Sequence, residues 1–152
     1  MNVIHKTFKT ETAHIVRKAS STRCRYNVHG HSYKWVVHIK SHHLNEAGMV
    51  MDFKDMSLVK TFIDQFDHSM VLWSKEDPKI TKFFLKNFKR VIIMEQNPTA
   101  ENMARLVFQF CEETLPAGVM VHKVEVWETE TGCAEATESH MYDTIKDLQV
   151  EE

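Results

Sequence analysis

Cysteine is scarce in this chain. Cys24, Cys111 and Cys133 are too few and too scattered for a disulfide framework, which points to a reduced, cytoplasmic setting. No apolar run approaches the length of a transmembrane helix, and the opening MNVIHKTFKT lacks a signal-peptide pattern, so no membrane partner is expected. Charge of one sign is not in excess either. A net charge of −2 argues against a general nucleic-acid binder. Internal repeats, linkers and low-complexity segments are missing, and residues 1–152 read as one domain long enough to bury a real core. What the chain does have is histidine, ten residues of it, and their placement says more than their number.

Residues 3–16 alternate as a strand, with Phe8, Thr10, Thr12 and His14 on one face. Residues 17–28 are polar and read as an irregular loop. Residues 29–41 form a second strand whose His31, Tyr33, Trp35, Val37 and Ile39 make a bulky face that belongs inside. Asp52 or Asp55 can cap a helix running to Phe66, with Leu58, Val59, Phe62, Ile63 and Phe66 inward. Asp77-Pro78 starts a second helix, residues 91–94 a short buried strand, and Asn97-Pro98-Thr99 a third helix that Pro116-Ala-Gly118 stops. Residues 119–129 read as the last long strand, with His122, Val124, Val126 and Glu128 on one face. A turn at 130–132 leads to a short strand from Cys133, and the tail beyond Ser139 reads as helical or frayed. Two strands, then helices, then two strands indicate an α+β fold with an antiparallel sheet.

The chemistry gathers around Cys24-Arg-Tyr-Asn-Val-His29-Gly-His31. On a strand, His29 and His31 leave the same face, and Gly30 leaves the opposite face open. If the first two strands pair antiparallel, His14 arrives beside both. Three imidazoles on a tetrahedral metal leave one open position, the pattern of catalytic rather than structural zinc. The plainer alternative is a satisfied sheet histidine at 14 and a solvated pair at 29 and 31. Cys24 sits among Arg17, Lys18, Arg23 and Arg25 with no acid nearby, which favours a thiolate; a surface thiol in a flexible loop is the alternative. Asp67-His68 can be a charge-oriented imidazole for proton transfer or a chance adjacency. Glu128 can anchor a ligand edge carrying two donors, or be an ordinary strand-end carboxylate. Thr99 and Glu101 can serve only to cap and charge a helix start.

Taken in order, Thr-Ala-His14, Cys24, His29-Gly-His31, Met51-Asp-Phe53, Asp67-His68, Pro98-Thr-Ala-Glu101 and Trp127-Glu-Thr129 resemble the 6-pyruvoyltetrahydropterin synthase family. The bacterial branch, the 6-carboxytetrahydropterin synthases of queuosine biosynthesis, is the nearer match. The resemblance runs from about Phe8 to about Ala136. It implies a tunnelling fold: a four-stranded antiparallel sheet with helices packed on one face, three subunits closing a barrel, and two trimers stacking into a homohexamer. It implies zinc on His14, His29 and His31, Cys24 as general base, Asp67 with His68 as a proton-transfer pair, and Glu128 anchoring the pterin ring with help from Thr99 and its surroundings, Glu101 included. The site would lie between subunits, and the substrate would be a pterin triphosphate. The basic loop at its mouth makes Arg23 or Arg25 a contact for the triphosphate. Two departures stand out. Four residues separate Cys24 from His29, a spacing that varies among branches, and Ala100 replaces a second threonine of the animal enzymes. Chemistry alone leaves three outcomes open: the carboxy product, the pyruvoyl product, and a non-catalytic zinc- or pterin-binding module.

Overall fold

Period-two alternation dictates the first pairing. In the structure, a computed structural model that describes residues 1–140 and 144–152, β1 (Asn2–His14) is followed by a one-turn helix, α1 (Thr22–Tyr26), and by β2 (His29–Ser41). β1 and β2 pair antiparallel over their whole length, from Asn2 opposite Ser41 to His14 opposite His29. The face carrying Thr10, Thr12 and His14 on β1 and Tyr33, Trp35, Val37 and Ile39 on β2 is buried, as the alternation predicts. Each large apolar side chain so buried contributes about 2 kcal/mol relative to an exposed one.

A 3₁₀ turn (Phe53–Met56), capped by Asp52 accepting from the Lys54 N–H, leads into α2 (Ser57–Asp64). Val59, Ile63 and the following Phe66 are buried, whereas Leu58, expected inward, is exposed. The chain continues through β3 (Ser69–Trp73), α3 (Pro78–Asn87), β4 (Arg90–Met94), α4 (Ala100–Thr114), β5 (Met120–Trp127), β6 (Cys133–Ala136) and β7 (Ile145–Val150). Asp77 and Thr99 cap α3 and α4, each accepting from a backbone N–H of the first turn.

The α+β class stands, but the sheet is larger than four antiparallel strands. It is mixed and seven-stranded, in the order β6-β5-β2-β1-β3-β4-β7. β3, a Ser-Met-Val-Leu-Trp run not expected from the sequence, follows α2 after a tight turn at 65–68. β3 pairs parallel with both β1 and β4, and the parallel β3–β4 pair is spanned by α3. Helices therefore cover both faces. α2 and α4 lie over the main core, while Phe84 and Leu85 of α3 pack against Met70, Leu72, Val91 and Ile15 on the other side. β7 replaces the helical or frayed tail and pairs with β4; residues 141–143 of that tail lie outside the described residues.

One register shift corrects the reading of β5. His38 pairs with Lys123, but Ile39 pairs with Val121, so His122 is left in a bulge. Val121, Val124 and Val126 are buried and His122 is exposed. The inward face therefore reaches Glu128 through Val124 and Val126, without His122.

Candidate metal and active site

The hairpin register assembles three imidazoles. His14 stands opposite His29, and Thr12 opposite His31, so the three rings share one face at the open end of the β1–β2 pair. Ring centroids lie 4.5 Å apart for His14 and His29, 5.4 Å for His14 and His31, and 5.3 Å for His29 and His31. One nitrogen from each ring falls within 4.8 Å of the others. Gly30 permits the closeness of the strands here: an added Cβ would meet the Thr12 carbonyl oxygen at 3.0 Å.

The hydrogen bonds behind these rings decide which nitrogen is left for a ligand. His14 Nδ1 lies 2.8 Å from the Pro98 carbonyl oxygen, and His29 Nδ1 lies 3.0 Å from that of Asn27. A carbonyl only accepts, so both rings carry the proton on Nδ1 and turn Nε2 toward the cluster. His29 Nε2 and His31 Nε2 are buried and have no hydrogen-bond partner among the described residues. Glu128 Oε1 does come within 3.1 Å of His31 Nε2, but off the line that a ring N–H would need. Buried, unpartnered nitrogens are what a metal would satisfy. Charge agrees. Burial is the main force that lowers the His14 pKa to about 4, opposed by the Pro98 bond and reinforced by the other two rings. Burial also lowers that of His31, against the pull of Glu128. Neutral imidazoles are the ligating form, and the donor set fits zinc.

Tyr33, two residues along the same face, closes the back of the cluster. Its hydroxyl lies 3.3 Å from both ring nitrogens of His14. Burial, with Glu128, Cys24 and Glu101 adding to it, pushes the phenol well above its usual range, so it stays protonated. The sequence placed Tyr33 inward without assigning it this contact. Pro98 carried no signal, being 84 residues from the ring it orients.

Beside the cluster, Cys24, Thr99, Glu101 and Glu128 line one pocket of about 370 Å³. Cys24 is half-buried on α1. Glu128 follows β5, where its N–H donates to Gly132 and closes the expected turn. Thr99 spends its hydroxyl on the Asn102 N–H, and Glu101 lies in the first turn of α4. A half-exposed carboxylate facing a pocket can accept two donors at once.

Asp67 and His68 lie elsewhere. The larger cavity, about 780 Å³, is lined by Glu11, Ala13 and Ser32 together with His31 of the cluster, and His68 and Arg90 form its other side. Its size does not make it the ligand pocket, because Cys24, Thr99 and Glu128 line only the smaller one. Asp67 accepts from the Glu11 N–H at 2.7 Å and from His68 Nδ1 at 2.9 Å. Burial works against its charge, yet those bonds and Arg90 hold the carboxyl below its ordinary range. Arg90 donates to the carbonyls of Asp64, Gln65 and Asp67 and so fixes the turn.

The basic loop is less uniformly free than its sequence indicates. Arg17 has an acid beside it, Glu76, brought in from β3's far end at 2.7 Å. The Lys18 ammonium lies over the Trp73 ring, and the Arg25 guanidinium over Tyr26. Among the described residues, the Arg23 side chain has no hydrogen-bond or ion-pair partner.

Comparison with known proteins gives the family. Residues 3–139 match the family described as 6-pyruvoyl tetrahydropterin synthase. The 6-carboxy-5,6,7,8-tetrahydropterin synthase of Helicobacter pylori strain J99 is 34% identical over 143 residues, covering 88% of this chain and 72% of that protein. The enzyme of the same name from Aquifex aeolicus is 34% identical over 160 residues, covering 89% and 97%. In fold, the Caenorhabditis elegans 6-pyruvoyl tetrahydropterin synthase superposes with a TM-score of 0.62 at 24% identity, over 91% of this chain and 96% of that one. An uncharacterized protein of Wolinella succinogenes superposes at 0.81 with 24% identity, over 90% and 97%. The chain belongs to the 6-pyruvoyl tetrahydropterin synthase family.

Proposed function

From that membership we propose that the protein is a zinc-dependent lyase, a 6-carboxytetrahydropterin synthase of queuosine biosynthesis. It would take 7,8-dihydroneopterin triphosphate and water to 6-carboxy-5,6,7,8-tetrahydropterin, acetaldehyde and triphosphate. The observation that carries the reading is the set of three clustered imidazoles, two of them with buried, unpartnered Nε2 atoms, beside a pocket that holds a thiol and a carboxylate. The names of the similar curated proteins favour the carboxy product.

His14, His29 and His31 would hold the zinc, which when bound supplies Lewis acidity to the side-chain hydroxyls of the substrate. Glu128 accepts the N–H pair of the pterin edge, and Thr99 and Glu101 complete that wall. Cys24, which lines the same pocket as Glu128, takes a proton from the side chain as general base. Asp67 fixes the His68 ring through Nδ1, leaving Nε2 to carry protons to and from the hydroxyls. Arg23 and Arg25 meet the triphosphate at the pocket mouth.

Within one chain, Cys24 and His68 line separate cavities. That separation supports a site completed between copies of the chain, in a trimer or a dimer of trimers. The test is product analysis after the triphosphate substrate is added to zinc-loaded protein. Acetaldehyde and triphosphate in equal amounts are expected. Triphosphate without acetaldehyde makes the protein a pyruvoyl enzyme. Neither product, with zinc still bound, makes it a binding module.

A further inference from the structure

Among the described residues, Glu76 is the single buried carboxylate, 7% exposed, and the reaction proposed above makes no use of it. Both of its oxygens are taken. Arg17 Nε donates to Oε2 at 2.7 Å and Nη2 to Oε1 at 2.9 Å, and Oε1 also accepts from the Asp77 N–H at 2.9 Å. This is a two-pronged pairing that a lysine cannot reproduce. A buried carboxylate stripped of its partner is strongly unfavourable, so the guanidinium is held where it is.

The third arm of that guanidinium does something different. Arg17 Nη1 donates to the Arg25 carbonyl at 2.8 Å. α1 spans five residues, buries none of them and has no side-chain N-cap. A helix so short does not stand by itself, and its last carbonyls have no partner within it. Here they are met from outside. Arg23 O accepts from Asn27 Nδ2 at 3.1 Å, Cys24 O from the Val16 N–H at 3.1 Å, and Arg25 O from Arg17. Val16 and Arg17 come directly after His14 and Ile15. Asn97 Nδ2 in turn donates to the Arg17 carbonyl, and its neighbour Pro98 orients His14.

We propose that Arg17 and Glu76 form a clamp that positions the Cys24 thiol against the histidine cluster. Arg17 is then a positioning residue, not one of the phosphate contacts its place in a basic loop suggests. The proposal rests on the reading of Cys24 as the base. The clamp acts through the Arg25 carbonyl in the last turn of α1, and its anchor is Glu76, the buried residue of the turn after β3. Breaking either half releases the helix that carries the thiol, while the imidazoles, fixed by strand register and by Pro98 and Asn27, stay in place.

The test uses the zinc-loaded protein and two variants, Arg17→Lys and Glu76→Gln. Iodoacetamide alkylation of Cys24, resolved from Cys111 and Cys133 by peptide mass, is followed from about pH 6 to pH 9. Both variants should change the Cys24 alkylation rate at least about threefold and displace its pH profile. They should also lower kcat about tenfold with KM within about twofold and zinc content unchanged. Folded variants whose Cys24 alkylation matches the parent's overturn the clamp. So does a loss confined to KM, which would make Arg17 a phosphate ligand. If Arg17→Lys does not fold, Glu76→Gln, of the same shape, carries the test. A parent protein with no pterin turnover would overturn the proposed function alone, since alkylation still reports on the clamp.

Discussion

Two groups of side chains to which the proposed reaction gives a role are fastened to the last residues of β1, and they are built in opposite ways. His14 is fully buried, aligned by strand register and bonded from behind. His68, joined to β1 through Glu11, has a side chain 74% exposed and a backbone φ of 54°. The first region is over-determined by packing, which suits atoms that must keep a fixed separation. The second faces solvent and holds a left-handed backbone that an ordinary residue adopts at a cost of about 1 kcal/mol. Holding a ligand set asks for rigidity, whereas moving a proton asks for access.

The sharpest test of that division is metal content. His29→Ala should lose most of about one zinc per chain and about a thousandfold in turnover, because a two-imidazole site no longer holds the ion. His68→Ala should lose turnover while keeping zinc, as read by metal analysis of the purified proteins. Zinc retained in the first variant, or lost in the second, would merge the two regions into one.

Mixing tests whether separate chains join them. Cys24→Ala and His68→Ala protein should each be nearly inactive. Unfolded together in equal amounts and reassembled, they should regain about a quarter of parental turnover if each site draws one half from each of two neighbouring copies. No recovery would place Cys24 and His68 in one chain's site.

Acid should separate the regions by pH window. The His14 pKa falls from its ordinary 6.5 to about 4 in the folded protein, so only the unfolded chain takes up that proton between those values. Metal-stripped protein should therefore lose up to about 3 kcal/mol of stability as pH drops from about 6.5 to about 4, and His14→Gln should flatten that slope in denaturant titrations. Asp67 runs lower. Its carboxyl is held below the ordinary 3.8, so its stabilising share is present above that value and disappears only as pH falls through the depressed one. Asp67→Asn should alter the most acid limb and leave the higher window untouched.

The smallest expected effect is the most telling about strain. His68→Gly removes an exposed ring and supplies a residue at ease with positive φ, so stability should change by less than about 0.5 kcal/mol while turnover collapses. A large destabilisation by thermal melting would mean that the Asp67–His68 bond holds the turn, rather than Arg90.

Local rules make much of this molecule legible in its sequence. Alternation marks β1 and β2 and their buried face, and with antiparallel pairing it brings His14 to His29 and His31. Asp77, Thr99 and the turn before Cys133 announce themselves by residue type, because a cap or a turn is satisfied within a few residues. What the sequence could not decide is everything that depends on distant partners. β3 is short and unmarked by alternation, and its strand pairing comes from β1 and β4 on either side. His122 leaves its face because a bulge against β2 shifts the register by one residue. Pro98 orients His14, and Glu76 claims Arg17, across separations of 84 and 59 residues. Neither contact has a periodicity, and only the folded chain brings such groups within bonding distance. Side-chain spacing on a strand is fixed by covalent geometry, so the histidine cluster was determined by the sequence. The pocket walls, the clamp behind Cys24 and the placement of Asp67 and His68 on the other face were decided by tertiary structure, because they follow from packing and hydrogen bonds between segments that no local pattern connects.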